Sequence, residues 1–224
     1  MVDFFDKWRL FEAASEDIKN LGFGDITKPK FIKRLSEEPN IIKVNIDEIP
    51  EGEFPANDSD EVKKELRQIT DEISQASTEW SKSQLATADI KPIKMFLSYL
   101  EENGLEHDEG FLDEIYKDVA RIVLKLKVKY DRPRPEQLGA LLGFDFSAIP
   151  STSDNSPSFP SGHAAQAWTV AHFLTRKHPS HKGAFYDIAR RIEKSRIARG
   201  AHYPSDIVYA KYVAKHYLAP SIEE

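Results

Sequence analysis

Phe111-Leu112-Asp113-Glu114-Ile115-Tyr116-Lys117-Asp118-Val119-Ala120-Arg121-Ile122-Val123-Leu124-Lys125-Leu126 is the stretch that sets the fold class. Phe111, Ile115, Val119, Ile122 and Leu126 follow at intervals of 4, 4, 3 and 4. That spacing lays them along one stripe of an α-helix, and a strand would need a period of two. The helix runs into Lys125, Lys127 and Lys129, cations that suit the negative end of its dipole. Upstream, Val62, Leu66, Ile69 and Ile73 repeat the pattern, with Asp58, Ser59 and Asp60 as cap candidates. Between them, Ile90 to Asn103 reads as a helix with Pro92 near its first turn and Gly104 as its stop. Downstream, segments at about 163–178, 183–199 and 204–218 are also helical.

The remainder is punctuation. Phe4, Trp8, Phe11 and Ile18 share one face of a first helix that Asn20-Leu21-Gly22 ends. Residues 23–60 read as irregular, broken by Pro29, Pro39, Pro50 and Pro55, with Ile42, Val44 and Ile46 forming one short extended piece. A Pro-, Ser- and Asp-rich loop is expected from about Asp131 to Pro160. The expectation is an all-α protein with a single helical-bundle domain, residues 61–224 forming its core and residues 1–60 an N-terminal wrap.

Composition narrows the function. Of the 224 residues, 40% are apolar and 30% charged, which describes an ordinary globule rather than a disordered chain. The net charge of −6 argues against a generic nucleic-acid binder. The absence of cysteine excludes disulfides, thiolate metal sites and a cysteine nucleophile. No stretch approaches the roughly 18 to 20 apolar residues of a membrane span. The start, Met1 to Lys7, carries acids where a signal peptide has a basic region and an apolar run. A soluble, cytoplasmic protein without integral membrane association is the expectation, its oligomeric state open.

Three segments in the second half gather cations, small residues and two histidines. They are Lys127 to Pro135, Phe159-Pro160-Ser161-Gly162-His163, and Ser195-Arg196 through His202 to Asp206. Each alone has a plain structural reading: a solvated helix end, a cap and turn, an acid in a first helical turn. Together, eleven positions stand in a fixed order: Lys127, Arg134-Pro135, then Pro160-Ser161-Gly162-His163, then Ser195-Arg196, His202 and Asp206. This resembles the three-part signature of the type 2 phosphatidic acid phosphatase superfamily. That group holds bacterial non-specific acid phosphatases, lipid phosphate phosphatases and vanadium-dependent haloperoxidases. The gaps of 24 residues (136–159) and 31 residues (164–194) suit that family. Pro55-Ala56-Asn57-Asp58-Ser59 is a weaker likeness to the loop before the first core helix of soluble members. Lys125 with Arg132-Pro133 fits the first motif as well as Lys127 with Arg134 does. The second pairing is preferred, because soluble members often carry a further arginine where Arg132 stands.

The resemblance implies a helical acid phosphatase-like fold and a metal-independent phosphoryl transfer. Lys127, Arg134 and Arg196, with the Ser161 hydroxyl and the Gly162 amide, would hold the phosphate. His202 would be the nucleophile, forming a phosphohistidine. Asp206 would fix its tautomer, and His163 would protonate the leaving oxygen. The residue types suit a transition state that spreads charge over three equatorial oxygens, since an arginine offers a planar fork and a lysine a point charge. The expected partner is a small phosphorylated substrate, with no nucleic acid and no cofactor. The alternative is a vanadium-dependent haloperoxidase holding vanadate on His202, and a catalytically dead binding module is a third reading. His107, His172, His178, His181 and His216 lie outside the motifs and are expected to be structural.

Overall fold

A computed structural model describes residues 16–24, 26, 29–79, 92–144, 148–149 and 155–223. Eight α-helices occur among them: α1 Pro29–Leu35, α2 Asp60–Glu79, α3 Ile93–Glu102, α4 Glu109–Tyr130, α5 Pro135–Leu141, α6 Gly162–Lys177, α7 Lys182–Ala198 and α8 Pro204–Val213. The described residues contain no strand, only an isolated antiparallel bridge between Ile42 and Ile222. The all-α bundle expected from the periodicity is what the chain forms.

Helix α6 is the centre. Alanines 164, 165, 167 and 171 are all buried there, with Val170, Phe173 and Leu174. Their small side chains let neighbouring helices approach, and α4, α7 and α8 all pack on α6. From α4 come Ile115, Val119, Ile122 and Leu126, and from α3 Phe96 and Leu100, all within one apolar core. A smaller cluster joins Val62, Leu66 and Ile69 of α2 to Leu138 and Tyr203. The caps follow the sequence. Ser59 Oγ accepts from the Val62 amide (3.1 Å), and the Asp108 carboxylate accepts from the Phe111 amide (2.9 Å).

Several expectations change. Residues 23–60 are not wholly irregular, because Pro29 opens α1: a proline at a first helical position lacks only an N–H that would be unpaired anyway. The extended piece reduces to the single bridge at Ile42, and Ile46 begins a one-turn 3-10 helix whose Asp47 amide donates to Asn45 Oδ1. The loop 131–160 contains α5, where Pro135 stands first and Gln137 Oε1 accepts from the Arg134 amide (2.8 Å). The last helix ends at Val213 and continues as a wider π-turn, Ala214–Leu218. The third helix begins at Ile93; residues 90–91 and most of the expected first helix lie outside the described residues.

Asp118, fully buried on α4, fastens the N-terminal segment. Its carboxylate accepts from the amides of Asn40 (2.9 Å), Ile41 (2.6 Å) and Ile42 (3.0 Å) and from Arg121 Nη1 (2.6 Å). Farther along, the Gly52 amide donates to Tyr130 Oη (2.7 Å). A Cβ on Gly52 would fall 2.6 Å from the Phe159 ring, so only glycine permits this approach.

Candidate active site

Helix ends deliver the chemistry. Lys127 occupies the last turn of α4, and Asp131 ends that helix in a left-handed conformation (φ 46°), turning the chain toward Arg132 and Arg134. Ser161 caps α6, and its own amide donates to the Asp206 carbonyl (3.1 Å), joining the second and third segments. Gly200, at φ 70°, turns the chain out of α7 and leads to His202. Pro204 opens α8 and sets Asp206 at its third position.

These ends meet at a cavity of about 490 Å³ walled by Lys127, Arg134, Ser156, Gly162, His163 and His202. A Cβ on Gly162 would make only ordinary contacts with Val123 and Lys127, at 3.9 and 4.0 Å. Protein packing therefore does not demand this glycine; a side chain there would occupy cavity space. Ser161 and Arg196 are fully buried beside the cavity rather than on its wall.

Lys127 Nζ donates to the carbonyl of Pro157 and to that of Ser158 (3.1 Å). Arg134 Nε donates to the Ser156 carbonyl (2.8 Å) and Nη1 to the Ala201 carbonyl (2.7 Å). These bonds fix both cations in place, so little reorganisation accompanies arrival of an anion. Lys125, by contrast, pairs with Glu38 Oε1 (2.8 Å), away from the cavity. Of the two sequence registers for the first motif, only Lys127 with Arg134 lies at the cavity.

His202 is buried, with Nδ1 3.0 Å from Asp206 Oδ2 and Nε2 3.2 Å from Arg134 Nη1. The carboxylate can only accept and the guanidinium can only donate. The network therefore assigns Nδ1–H to the Asp206 side and the lone pair to Nε2. Burial, followed by the charges of Arg134, Lys127 and Arg196 and by His163, holds the His202 pKa well below its usual 6.5. The ring is a neutral imidazole in a cationic surround, the form in which a nitrogen attacks an electrophile.

Behind Asp206 lies a group the motif reading did not connect. Arg132, completely buried, donates through Nη1 to Asp206 Oδ1 (2.6 Å) and Ser205 Oγ (2.7 Å), and through Nη2 to Glu65 Oε2 (2.9 Å). Its guanidinium stacks on Tyr203 (3.8 Å) and Phe54 (4.7 Å). Sequence marked Arg132 as a further arginine before Arg134, or as the motif arginine of the alternative register with Lys125, but not as a partner of Asp206. Glu65 gave no signal beyond a charge between two core positions of α2. Missed also is the outer wall, where Phe31 and Arg34 of α1 face Ala120, Val123 and Leu124 of α4.

Arg199 does not line the cavity; its Nη2 donates to the Ile149 carbonyl (3.0 Å). The remaining histidines lie elsewhere. His107 meets the Leu105 carbonyl, His172 Tyr186, His178 the Glu106 carbonyl, His181 Tyr99, and His216 packs on Tyr212. Among the described residues no cluster of His, Cys, Asp or Glu could hold a metal, and no helix is long and apolar enough to cross a membrane.

Residues 118–218 match the family model described as the PAP2 superfamily. No curated protein sequence matches the chain. Among solved structures, a transmembrane PAP2-type phosphatidylglycerolphosphate phosphatase from Bacillus subtilis is similar at 19% identity and a TM-score of 0.46, over 70% of this chain and 82% of that one.

Proposed function

We propose that this chain, whose residues 118–218 match the PAP2 superfamily, is a phosphatase that hydrolyses small phosphomonoesters without a metal ion, through a phosphohistidine at His202. The observation that carries the reading is the buried neutral imidazole with its Nε2 lone pair beside Arg134, in a cavity also lined by Lys127 and His163.

In this reading Lys127 and Arg134 receive the phosphoryl oxygens, with the Gly162 amide at the start of α6 adding a donor at a helix N-terminus. Arg196 and the Ser161 hydroxyl act from beside the cavity. His202 Nε2 attacks phosphorus, the P–O bond to the leaving group breaks, and His163 gives its proton to the departing oxygen. Charge arriving on the His202 ring is balanced through Nδ1–H by Asp206. Water then attacks the phosphohistidine, His163 takes the water's proton, and phosphate leaves with Nε2 restored.

A cavity of about 490 Å³ falls within the range of about 300–1,000 Å³ typical of sites for drug-sized ligands. It exceeds what a phosphate alone occupies, so the ester's organic part belongs against the wall of α1 and α4. The deciding experiment is phosphate release from a panel of soluble monoesters after dialysis against a strong chelator. Hydrolysis by wild type and none by His202→Ala supports the reading. Activity restored only by magnesium or zinc overturns its metal-free part. Bromide oxidation by peroxide with vanadate, without ester hydrolysis, would assign the pocket to haloperoxidase chemistry instead.

A further inference from the structure

Glu65 stands on α2, outside the matched segment 118–218, yet its carboxylate reaches the base of the site. Oε1 accepts from the Ser205 amide (2.7 Å), and Oε2 accepts from Ser205 Oγ (3.0 Å) and from Arg132 Nη2 (2.9 Å). Arg132 passes the connection to Asp206 Oδ1, and Asp206 Oδ2 passes it to His202 Nδ1. The Tyr203 amide also donates to Oδ2 (2.9 Å), so both oxygens of Asp206 are held by fixed donors.

Buried ion triads contribute little to stability, because desolvation offsets their attraction. Arg132 is costlier still: its buried Nε has no acceptor among the described residues. What the triad does supply is orientation. A guanidinium clamped by Glu65 and stacked on Tyr203 has one position, and it gives the Asp206 carboxylate one plane.

We propose that Glu65 and Arg132 are positioning residues for the His202 nucleophile, fixing the plane of the Asp206 carboxylate and so the tautomer that leaves Nε2 unprotonated. The proposal rests on the reading of His202 as nucleophile. Neither residue lines the cavity, so both act through Asp206. Through Glu65, α2 becomes part of the catalytic apparatus rather than a buttress for the bundle.

The test uses the full chain with Glu65→Gln and Arg132→Lys, each checked for folding by circular dichroism. Glu65→Gln keeps an acceptor for the Ser205 amide but turns a donor toward Arg132; it carries the test should Arg132→Lys not fold. Loss of such a supporting contact typically costs roughly 10- to 100-fold, and that fall is expected in kcat. Inorganic phosphate, which meets Lys127 and Arg134 instead, should inhibit within about twofold of wild type. In ¹⁵N-histidine spectra without ligand, wild-type His202 should show a protonated Nδ1 and a bare Nε2. The variants should show a mixture of both tautomers. A single unchanged tautomer with unchanged kcat overturns the proposal, whatever the melting temperature does. If wild type hydrolyses no ester, the functional reading fails; the tautomer spectra then decide alone whether the two residues position His202.

Discussion

His202 Nδ1 lies 3.0 Å from Asp206 Oδ2, a contact made between residues four apart that belong to different backbone states. His202 stands in non-helical chain after Gly200, whereas Asp206 is already the third residue of α8. Pro204 makes the transition. It starts the helix at once and swings the acid back under the imidazole, where Arg132 holds it from the far side. The pair is thus defined by a local turn and secured by distant residues.

The depressed pKa of His202 makes a prediction about pH. Its folded value lies below the 6.5 of the unfolded chain, with burial as the largest cause. Below pH 6.5 the unfolded chain takes up a proton that the folded site refuses, so stability must fall as pH drops from 6.5 toward the folded value. The slope from this one group approaches about 1.4 kcal/mol per pH unit. Chemical denaturation of wild type and His202→Gln from pH 7.5 to 4.5 checks it. The variant should lose less stability over that interval, and parallel curves would contradict the assignment.

Asp118 makes a prediction about stability. Asp118→Ala leaves Arg121 its partners Glu114 and Glu37 but removes the acceptor of three backbone amides, at a cost of about 1–3 kcal/mol for each that stays buried without a partner. Urea unfolding should show that loss. Limited proteolysis should show new cleavage near residues 36–46, because the carboxylate is what seats Asn40, Ile41 and Ile42. Unchanged proteolysis would mean that the Ile42–Ile222 bridge suffices to hold the segment.

These examples mark what a linear reading could and could not reach. The helices from Asp60 onward were legible because an apolar stripe of period 3.6 reports burial directly, as Ile115, Val119 and Ile122 do. The gathering of Lys127, Arg134, His163 and His202 was legible because their order and spacing are those of a known signature. Two short helices were not, since Pro29 and Pro135 each read as a breaker while acting as a first helical residue. Glu65 and Asp118 were out of reach for another reason. Glu65 finds Ser205 across 140 positions, and Asp118 finds Ile42 across 76. No local period records such a pairing, and an acid on an amphipathic helix is ordinarily solvated.

Phe31 makes a prediction about specificity. It is 6% exposed yet lines the outer cavity, opposite Val123 and Leu124. If the ester's organic part lies there, Phe31→Ala should raise KM for phenyl and naphthyl phosphates roughly tenfold, the loss of one apolar contact surface of 1.5 kcal/mol or so. The KM for a small ester such as methyl phosphate should barely move, and kcat should hold for both. An equal KM rise for large and small esters would mean that α1 supports the phosphate site instead.

The last prediction separates the two histidines at the cavity. With His202 as nucleophile, His202→Ala abolishes turnover of every substrate, because no covalent intermediate forms. His163, half-buried on the first turn of α6, has a role that depends on the leaving group. General acid assistance contributes roughly a hundred- to ten-thousand-fold, and an oxygen that departs as a stable anion needs it least. His163→Ala should therefore lose most activity on an alkyl phosphate such as a sugar phosphate and much less on p-nitrophenyl phosphate. With the latter it should accumulate an acid-labile, base-stable phosphoenzyme, since attack proceeds while the water that completes the cycle lacks its base. Rapid-quench labelling of the variant reads that intermediate. Equal losses on the two substrates, or a phosphoenzyme in His202→Ala, would require the roles of the two histidines to be exchanged.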